Sequence, residues 1–139
     1  MAKYGDLQKK YPDLEVWGHP AEYADLYDLT VRGIKTATSS WYAEHSSDDE
    51  LDQFGDRSIM VDNPDHPTQE VLLETVKVVI EPFNAISEET AWCNGEGDRS
   101  IADWQRIFGD FWQRHLPTVG LKFVEDGLVV TEFFRVVEE

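Results

Sequence analysis

Lys35 and Thr38 are the first residues in this chain whose types could do chemistry together. A threonine hydroxyl is a nucleophile or a hydrogen-bond donor. A lysine can take its proton or steady an oxyanion, provided burial or a neighbouring cation lowers the amine's pKa. The pair lies in Arg32-Gly33-Ile34-Lys35-Thr36-Ala37-Thr38-Ser39-Ser40-Trp41, where hydroxyls follow the lysine at 36, 38, 39 and 40 and a tryptophan closes the run. In an ideal strand, positions 35 and 38 point to opposite faces. They converge only if the chain bends just after Gly33. The competing account is a helix cap, a solvated lysine and a threonine-rich strand, and the spacing taken alone favours it.

A second candidate is Gly95-Glu96-Gly97-Asp98-Arg99. Glycines on both sides of Glu96 open backbone conformations closed to other residues and would let its carboxylate approach a ligand. Asp98 and Arg99 precede a helix that begins at Ser100, where backbone N–H groups can hold an anion. The plainer account is a tight polar connection with Asp98 and Arg99 paired on the surface. No strand and no lysine stand where a nucleotide-binding glycine loop would need them. His19, His45, His66 and His115 are scattered without ligand partners at helical or short-loop spacing, so no metal site and no cofactor is expected. Trp17 and Trp41 bracket the central stretch and could stack on a base; core packing is the default for both, as for Trp104 and Trp112.

Several elements must position these groups. Residues 3–11 predict a short helix ended by Pro12. Ala21 to Val31 reads as a helix with Ala21, Ala24, Tyr27 and Val31 on one face, closed by Gly33 as cap with Arg32 in the last turn. Thr36 to Trp41 reads as a strand, and Glu44 to Asp52 as a solvated loop or frayed helix. Arg57 to Val61 is a short strand, and residues 62–67 are dense in turn formers. Val71 to Ile80 alternates as a long strand, with Val71, Leu73, Thr75, Lys77 and Val79 on one side. Ser87 caps one or two helical turns. Ser100 caps the best-marked helix, with Asp103 approximating a capping box and Ile101, Trp104, Phe108, Phe111 and His115 as its buried stripe. Leu128 to Val137 is a final strand. Helices and strands do not alternate regularly, which argues for an α+β fold. Gly-Asp-Arg-Ser-Ile occurs at both 55–59 and 97–101, but it opens a strand in one place and a helix in the other, so it marks no repeat.

With 139 residues the chain suits one domain, residues 1–139, and 41% hydrophobic content argues against disorder. Cys93 is the only cysteine, so no internal disulfide can form. Residues 1–20 hold no signal-peptide run, and no window approaches a membrane span, which together predict a cytoplasmic protein. The net charge of −16 disfavours binding to long nucleic acids. It is unevenly spread: Glu44 to Asp56 holds six acids and no Lys or Arg, while Arg32, Lys35, Arg57 and Arg99 flank the two motifs.

Trp17-Gly18, Gly33-x-Lys35-x-x-Thr38, Gly55-Asp56, Gly95-Glu96-Gly97-Asp98-Arg99-Ser100, Trp104 and Glu132-x-Phe134 occur in that order. In this the chain resembles the ASCH domain, in its compact bacterial stand-alone group, over residues 16–138, with 1–15 as an N-terminal extension. The resemblance implies a PUA-like fold, a small, mostly antiparallel β-barrel with flanking helices and a cleft beside the signature. It implies an RNA-related role with a nucleoside or short RNA as partner and no membrane. The activities it brings are hydrolysis of the amide of N4-acetylcytidine and cleavage of single-stranded RNA; a non-catalytic RNA-binding module is the alternative. For the amidase, Lys35, Thr38 and Glu96 match the lysine, threonine and glutamate held to act together. Trp17, Gly33, Thr36, Trp41, Asp98 and Arg99 are the expected substrate-binding residues. Two positions depart from the pattern: Asn94 stands where relatives often carry a glutamate, and Phe108 where a histidine is expected.

Overall fold

Valine-rich and aromatic segments with period-two alternation build the frame. In the computed structural model, which describes residues 3–138, they are β1 (Val16–Trp17), β2 (Ala37–Trp41), β3 (Arg57–Val61), β4 (Glu70–Pro82) and β5 (Leu128–Val137). Residues 1, 2 and 139 of the expected 1–139 span lie outside the described residues. The strands form one sheet in the order β1-β3-β4-β5-β2, antiparallel except for the β1–β3 pair. The helices are α1 (Asp6–Lys10), α2 (Asp25–Val31), α3 (Glu88–Asn94) and α4 (Ile101–His115), joined by short 3-10 turns. The fold is therefore α+β as expected. The barrel is corrected to an open sheet, since β1 and β2 remain its two edges.

The alternation expected along β4 breaks at Val76. Thr75 lies opposite Phe134 and Lys77 opposite Phe133, so one residue is extra and the strand bulges. Before the bulge, Val71, Leu73 and Thr75 share a face; beyond it Val78 and Ile80 take that face over. Tyr27, Met60, Leu73 and Phe134 form an apolar cluster on this side, with Trp17 packed against it. The opposite face carries the main core. There Trp41 and Val129 meet Phe83, Ile86, Ala91, Trp104, Trp112 and Leu116, which α3, α4 and their flanking turns supply.

Both serine caps form: Ser87 Oγ accepts from Thr90 N at 3.2 Å and Ser100 Oγ from Asp103 N at 3.0 Å. The capping box is not closed on Ser100; Asp103 Oδ2 instead accepts from Asp98 N at 2.8 Å. The stripe of α4 includes Trp112, one turn beyond Phe108, and His115 stacks on Phe111 at the rim. The stripe expected for the helix before Gly33 is corrected. Ala21 to Tyr23 is a separate 3-10 turn, which shifts the phase of α2 so that Leu26, Tyr27 and Thr30 are buried while Val31 is exposed.

Candidate functional site

Gly33, with φ of 78°, ends α2 in the left-handed conformation and turns the chain back along the helix. The N–H groups of Ile34 and Lys35 both donate to Leu29 O, at 2.9 and 3.0 Å. This turn carries Lys35 into the protein, where it is 1% exposed, contrary to a solvated lysine. Its Nζ donates to Glu96 Oε2 at 3.0 Å, to Asn94 O at 3.3 Å and to Asn94 Oδ1 at 3.4 Å. Burial lowers the pKa of this amine, although the charge and hydrogen bond of Glu96 and the charge of Asp25 oppose the shift.

The segment before β2 and the end of α3 are joined by backbone as well. Thr36 N donates to Cys93 O at 2.7 Å, and Thr36 O accepts from Phe134 N. Gly95 (φ 70°) caps α3 so close to this segment that a Cβ would stand 2.6 Å from Ile34 O and 2.9 Å from the Lys35 Cα. Arg99 closes the joint. Its Nε donates to Trp92 O at 2.8 Å, its Nη2 to Ile34 O at 3.1 Å, and its guanidinium lies 3.8 Å from the centre of the exposed Trp92 ring. Arg99 itself has φ of 68°. The surface pairing of Asp98 with Arg99 is corrected: Asp98 Oδ1 accepts from Ser100 N at 2.9 Å and helps start α4.

Asn94 explains its departure from the acidic residue expected at that position. It is fully buried, and its amide donates to Thr90 O at 2.8 Å and to Ser39 Oγ at 3.0 Å. Ser39 in turn shares a hydrogen bond with Thr131 at 2.8 Å. A polar chain therefore runs from Glu96 through Lys35 and Asn94 into the sheet. A carboxylate at 94 could not donate these two bonds. Phe108 stacks on Trp104 with ring centres 4.9 Å apart and extends the aromatic core.

Thr38 points the other way. Ser39 faces Asn94, so its neighbour Thr38 projects through the opposite face of β2, directly across from Glu132. Its hydroxyl bonds to neither Lys35 nor Glu96. The structure thus brings Lys35 and Glu96 together and leaves Thr38 in a separate small cavity. About 60 Å³ in volume, this cavity is lined by Thr38, Ser40, His45, Asp52 and Glu132, with Val78 and Val130 among its walls. Ser40 Oγ and His45 Nε2 are 2.9 Å apart. Thr75 donates its hydroxyl to Glu132 Oε2. Burial, then the hydrogen bond that its protonated form donates to Asp52 and the charges of Asp52 and Glu15, push Glu132 up to about 8, against the hydrogen bond it accepts from Thr75.

Glu132, Asp52 and His45 were not among the expected site residues. For Glu132 the available signals were its place in the Glu132-x-Phe134 motif and a lone acid amid Val129, Val130, Phe133 and Phe134, an apolar strand in which a carboxylate needs a reason to be buried. Of the expected stacking residues, Trp41 is 3% exposed and packs on Trp112 and Phe123, so its ring is core and not a platform. Trp17 is half-buried; its Nε1 donates to Ser58 Oγ at 2.9 Å and its ring meets His19 edge-on. His19 is held neutral, its pKa lowered to about 4 by burial and by the nearby Lys35 charge. Among the described residues no group of three His, Cys, Asp or Glu side chains could hold a metal ion. No described helix is long and apolar enough to cross a membrane.

The arrangement of signature turn, glycine-flanked glutamate and capped α4 is matched along the sequence by the model of the ASCH domain, over residues 15–138. The chain belongs to the ASCH domain family. Among solved structures, the ASCH domain from Lactobacillus crispatus is 30% identical, with a TM-score of 0.74 over 95% of this chain and 84% of that one. Protein EF3133 from Enterococcus faecalis is 27% identical, with a TM-score of 0.75 over 94% of this chain and 87% of that one. No curated protein matches the chain. For an ASCH domain, the tie between residues 34–36 and 93–99 means that the two sequence motifs form one structural unit, while Thr38 and Glu132 line a cavity through the sheet's other face.

Proposed function

We propose that this ASCH domain binds a pyrimidine nucleoside or a short RNA segment, taking the base at the Thr38 cavity. The observation that carries this reading is that Thr38 and Glu132 lie across from each other at a cavity whose lining includes Val78 and Val130. Hydroxyl and carboxyl groups there offer directional hydrogen bonds, and Val78 and Val130 suit the faces of a flat ring. The net charge of −16 favours an uncharged nucleoside or a short segment over a long polyanion. The test is calorimetric titration with cytidine, uridine and a short single-stranded RNA. Absence of binding by all three at low salt would sink the reading.

Amide hydrolysis is the second reading, favoured by one contact. Lys35 and Glu96 stand within the hydrogen-bond distance expected of a working pair, and burial lowers the pKa of the amine. In that chemistry Thr38 Oγ attacks the acetyl carbon of an N4-acetylcytidine-like substrate. The C–N bond breaks, the exocyclic nitrogen takes a proton, and water then releases acetate from Thr38. For Lys35 to accept the Thr38 proton, its amine must first be deprotonated and leave Asn94 and Glu96, and the two side chains must be brought to one face of β2. Incubation with N4-acetylcytidine tests it: cytidine should appear with the wild type and not with Thr38→Val. Turnover that survives this substitution removes the mechanism. Cleavage of single-stranded RNA is tested with the same variant, and binding without turnover supports the non-catalytic alternative.

A further inference from the structure

We propose that the groove between α3 and the start of α4 is a second binding site, one that takes a guanine base. It is separate from the Thr38 cavity and does not depend on what that cavity binds. The groove has a volume of about 670 Å³, in the range of small-molecule sites. Trp92 and Ile101 give it apolar walls, and Glu88, Arg99 and Ser100 bring polar groups to it. Trp92 is 58% exposed, whereas Trp41, Trp104 and Trp112 are core. A single exposed aromatic is ordinary, but this one belongs to a fixed pair. The Arg99 guanidinium lies 3.8 Å from the centre of the indole ring. At that distance an edge-on guanidinium would drive a nitrogen into the ring, so the two planes stack.

Arg99 is held in this pose by Trp92 O and Ile34 O, which take Nε and Nη2, and by a left-handed backbone, φ 68°, that costs a non-glycine residue energy. Nη1 donates to none of the described residues, so both of its N–H groups remain for a ligand. Glu88 stands one turn before Trp92 on the same face of α3. Its exposed carboxylate has no partner among the described residues, while the neighbouring Glu89 is paired with Lys77 at 2.6 Å. Guanine offers adjacent acceptors, O6 and N7, on one edge and the donors N1–H and N2–H on another. An arginine matches the first edge, a carboxylate the second, and an indole the flat face. A base bonded in the plane of the guanidinium continues the stack over the open part of Trp92. Adenine sets its N6 amine beside N7 and meets Arg99 donor to donor. An anionic ligand would also suit a guanidinium, but Glu88 and Glu89 at the same groove and the net charge of −16 oppose it.

Calorimetric titration of guanosine into the full chain at pH 7 tests the proposal. Wild-type protein should bind guanosine more tightly than adenosine, and more tightly than 7-deazaguanosine, which lacks the N7 acceptor, by about fivefold or more in each case. Trp92→Ala should weaken guanosine binding by about fivefold or more through lost stacking, and Glu88→Ala by a few-fold. Both side chains are exposed, and circular dichroism confirms that the variants are folded. Arg99→Lys keeps the charge and loses the planar donor pair, so it should erase the preference for guanosine over 7-deazaguanosine. An oligouridylate carrying one guanosine, compared with all-uridine RNA and with guanosine itself, identifies the source. Tighter binding than both assigns the base to RNA; binding no tighter than guanosine assigns it to the free nucleoside, and either result upholds the guanine site. Absence of guanosine binding at millimolar concentration, guanosine within about twofold of both analogues, or Trp92→Ala within about twofold of wild type overturns the inference. The first two outcomes need no variant, and none of the three bears on cytidine at the Thr38 cavity.

Discussion

Replacing Lys35 by methionine separates its structural role from any chemical one. Methionine keeps most of the stem's packing and removes the ammonium. The loss leaves Asn94 Oδ1, fully buried, without the donor it has now, at a cost of about 1–3 kcal/mol. Glu96 also loses its partner, but its side chain is 18% exposed, so water offsets part of that loss. Relief from burying an ammonium works in the opposite direction. The balance is a destabilisation of about 2–4 kcal/mol, a large share of the roughly 5–15 kcal/mol that holds a domain together. Glu96→Gln should cost about 2–3 kcal/mol, because it leaves the buried ammonium facing only neutral oxygens. The double variant should cost less than the sum of the singles by about 1.5–3 kcal/mol, since each removes the penalty the other creates. Urea unfolding at pH 7, followed by tryptophan fluorescence with unchanged m-values, measures all three. A loss below about 1 kcal/mol for Lys35→Met, or additive single effects, would refute the account of Lys35 and Glu96 as a coupled buried pair. The same cycle sets a condition on activity assays: lost turnover in a Lys35 variant counts as chemistry only where the variant is shown to be folded.

Gly95→Ala should destabilise by at least about 2 kcal/mol, from a strained left-handed φ and a Cβ driven against Ile34 O; thermal melting checks it, and a melt within about 2 °C of wild type would contradict it. Glu132 gives a pH prediction with a definite sign. Its carboxyl titrates near 4.5 when unfolded and near 8 when folded, so the folded state binds the proton more tightly. Its contribution to stability falls as pH rises from about 4.5 to about 8 and is level beyond. Glu132→Gln should therefore gain in melting temperature over wild type at pH 9 relative to pH 5; a constant difference at both pH values would contradict the shift. Asn94→Asp should destabilise by about 1–3 kcal/mol, as the amide that donates to Thr90 O and Ser39 is lost; urea unfolding at pH 7 reads the change.

Local signals in the chain were sufficient for the elements and their ends. Serine caps at 87 and 100, the glycine at 33, and the strand limits at 57–61 and 128–137 all follow from capping and alternation within a few residues. Where a local irregularity intervened, the periodic reading slipped. The 3-10 turn at Ala21–Tyr23 moved the buried face of α2, and the bulge at Val76 switched the sides of β4. Neither is encoded by hydrophobic spacing, because each depends on what the segment must pack against.

By itself the sequence determined that Lys35 and Thr38 have opposite parity on an extended segment, and that two polar, glycine-bearing motifs share one chain with a valine-rich sheet. Tertiary structure alone decided the partners. Lys35 is drawn to Glu96 and Asn94, because the end of α3 docks on residues 34–36 through Gly95, Cys93 and Arg99. Thr38 is turned toward Glu132 from the far end of the chain by the antiparallel pairing of β2 with β5. The separations in sequence are large, and long-range contacts of this kind follow from strand register and burial, which no local pattern of residues specifies.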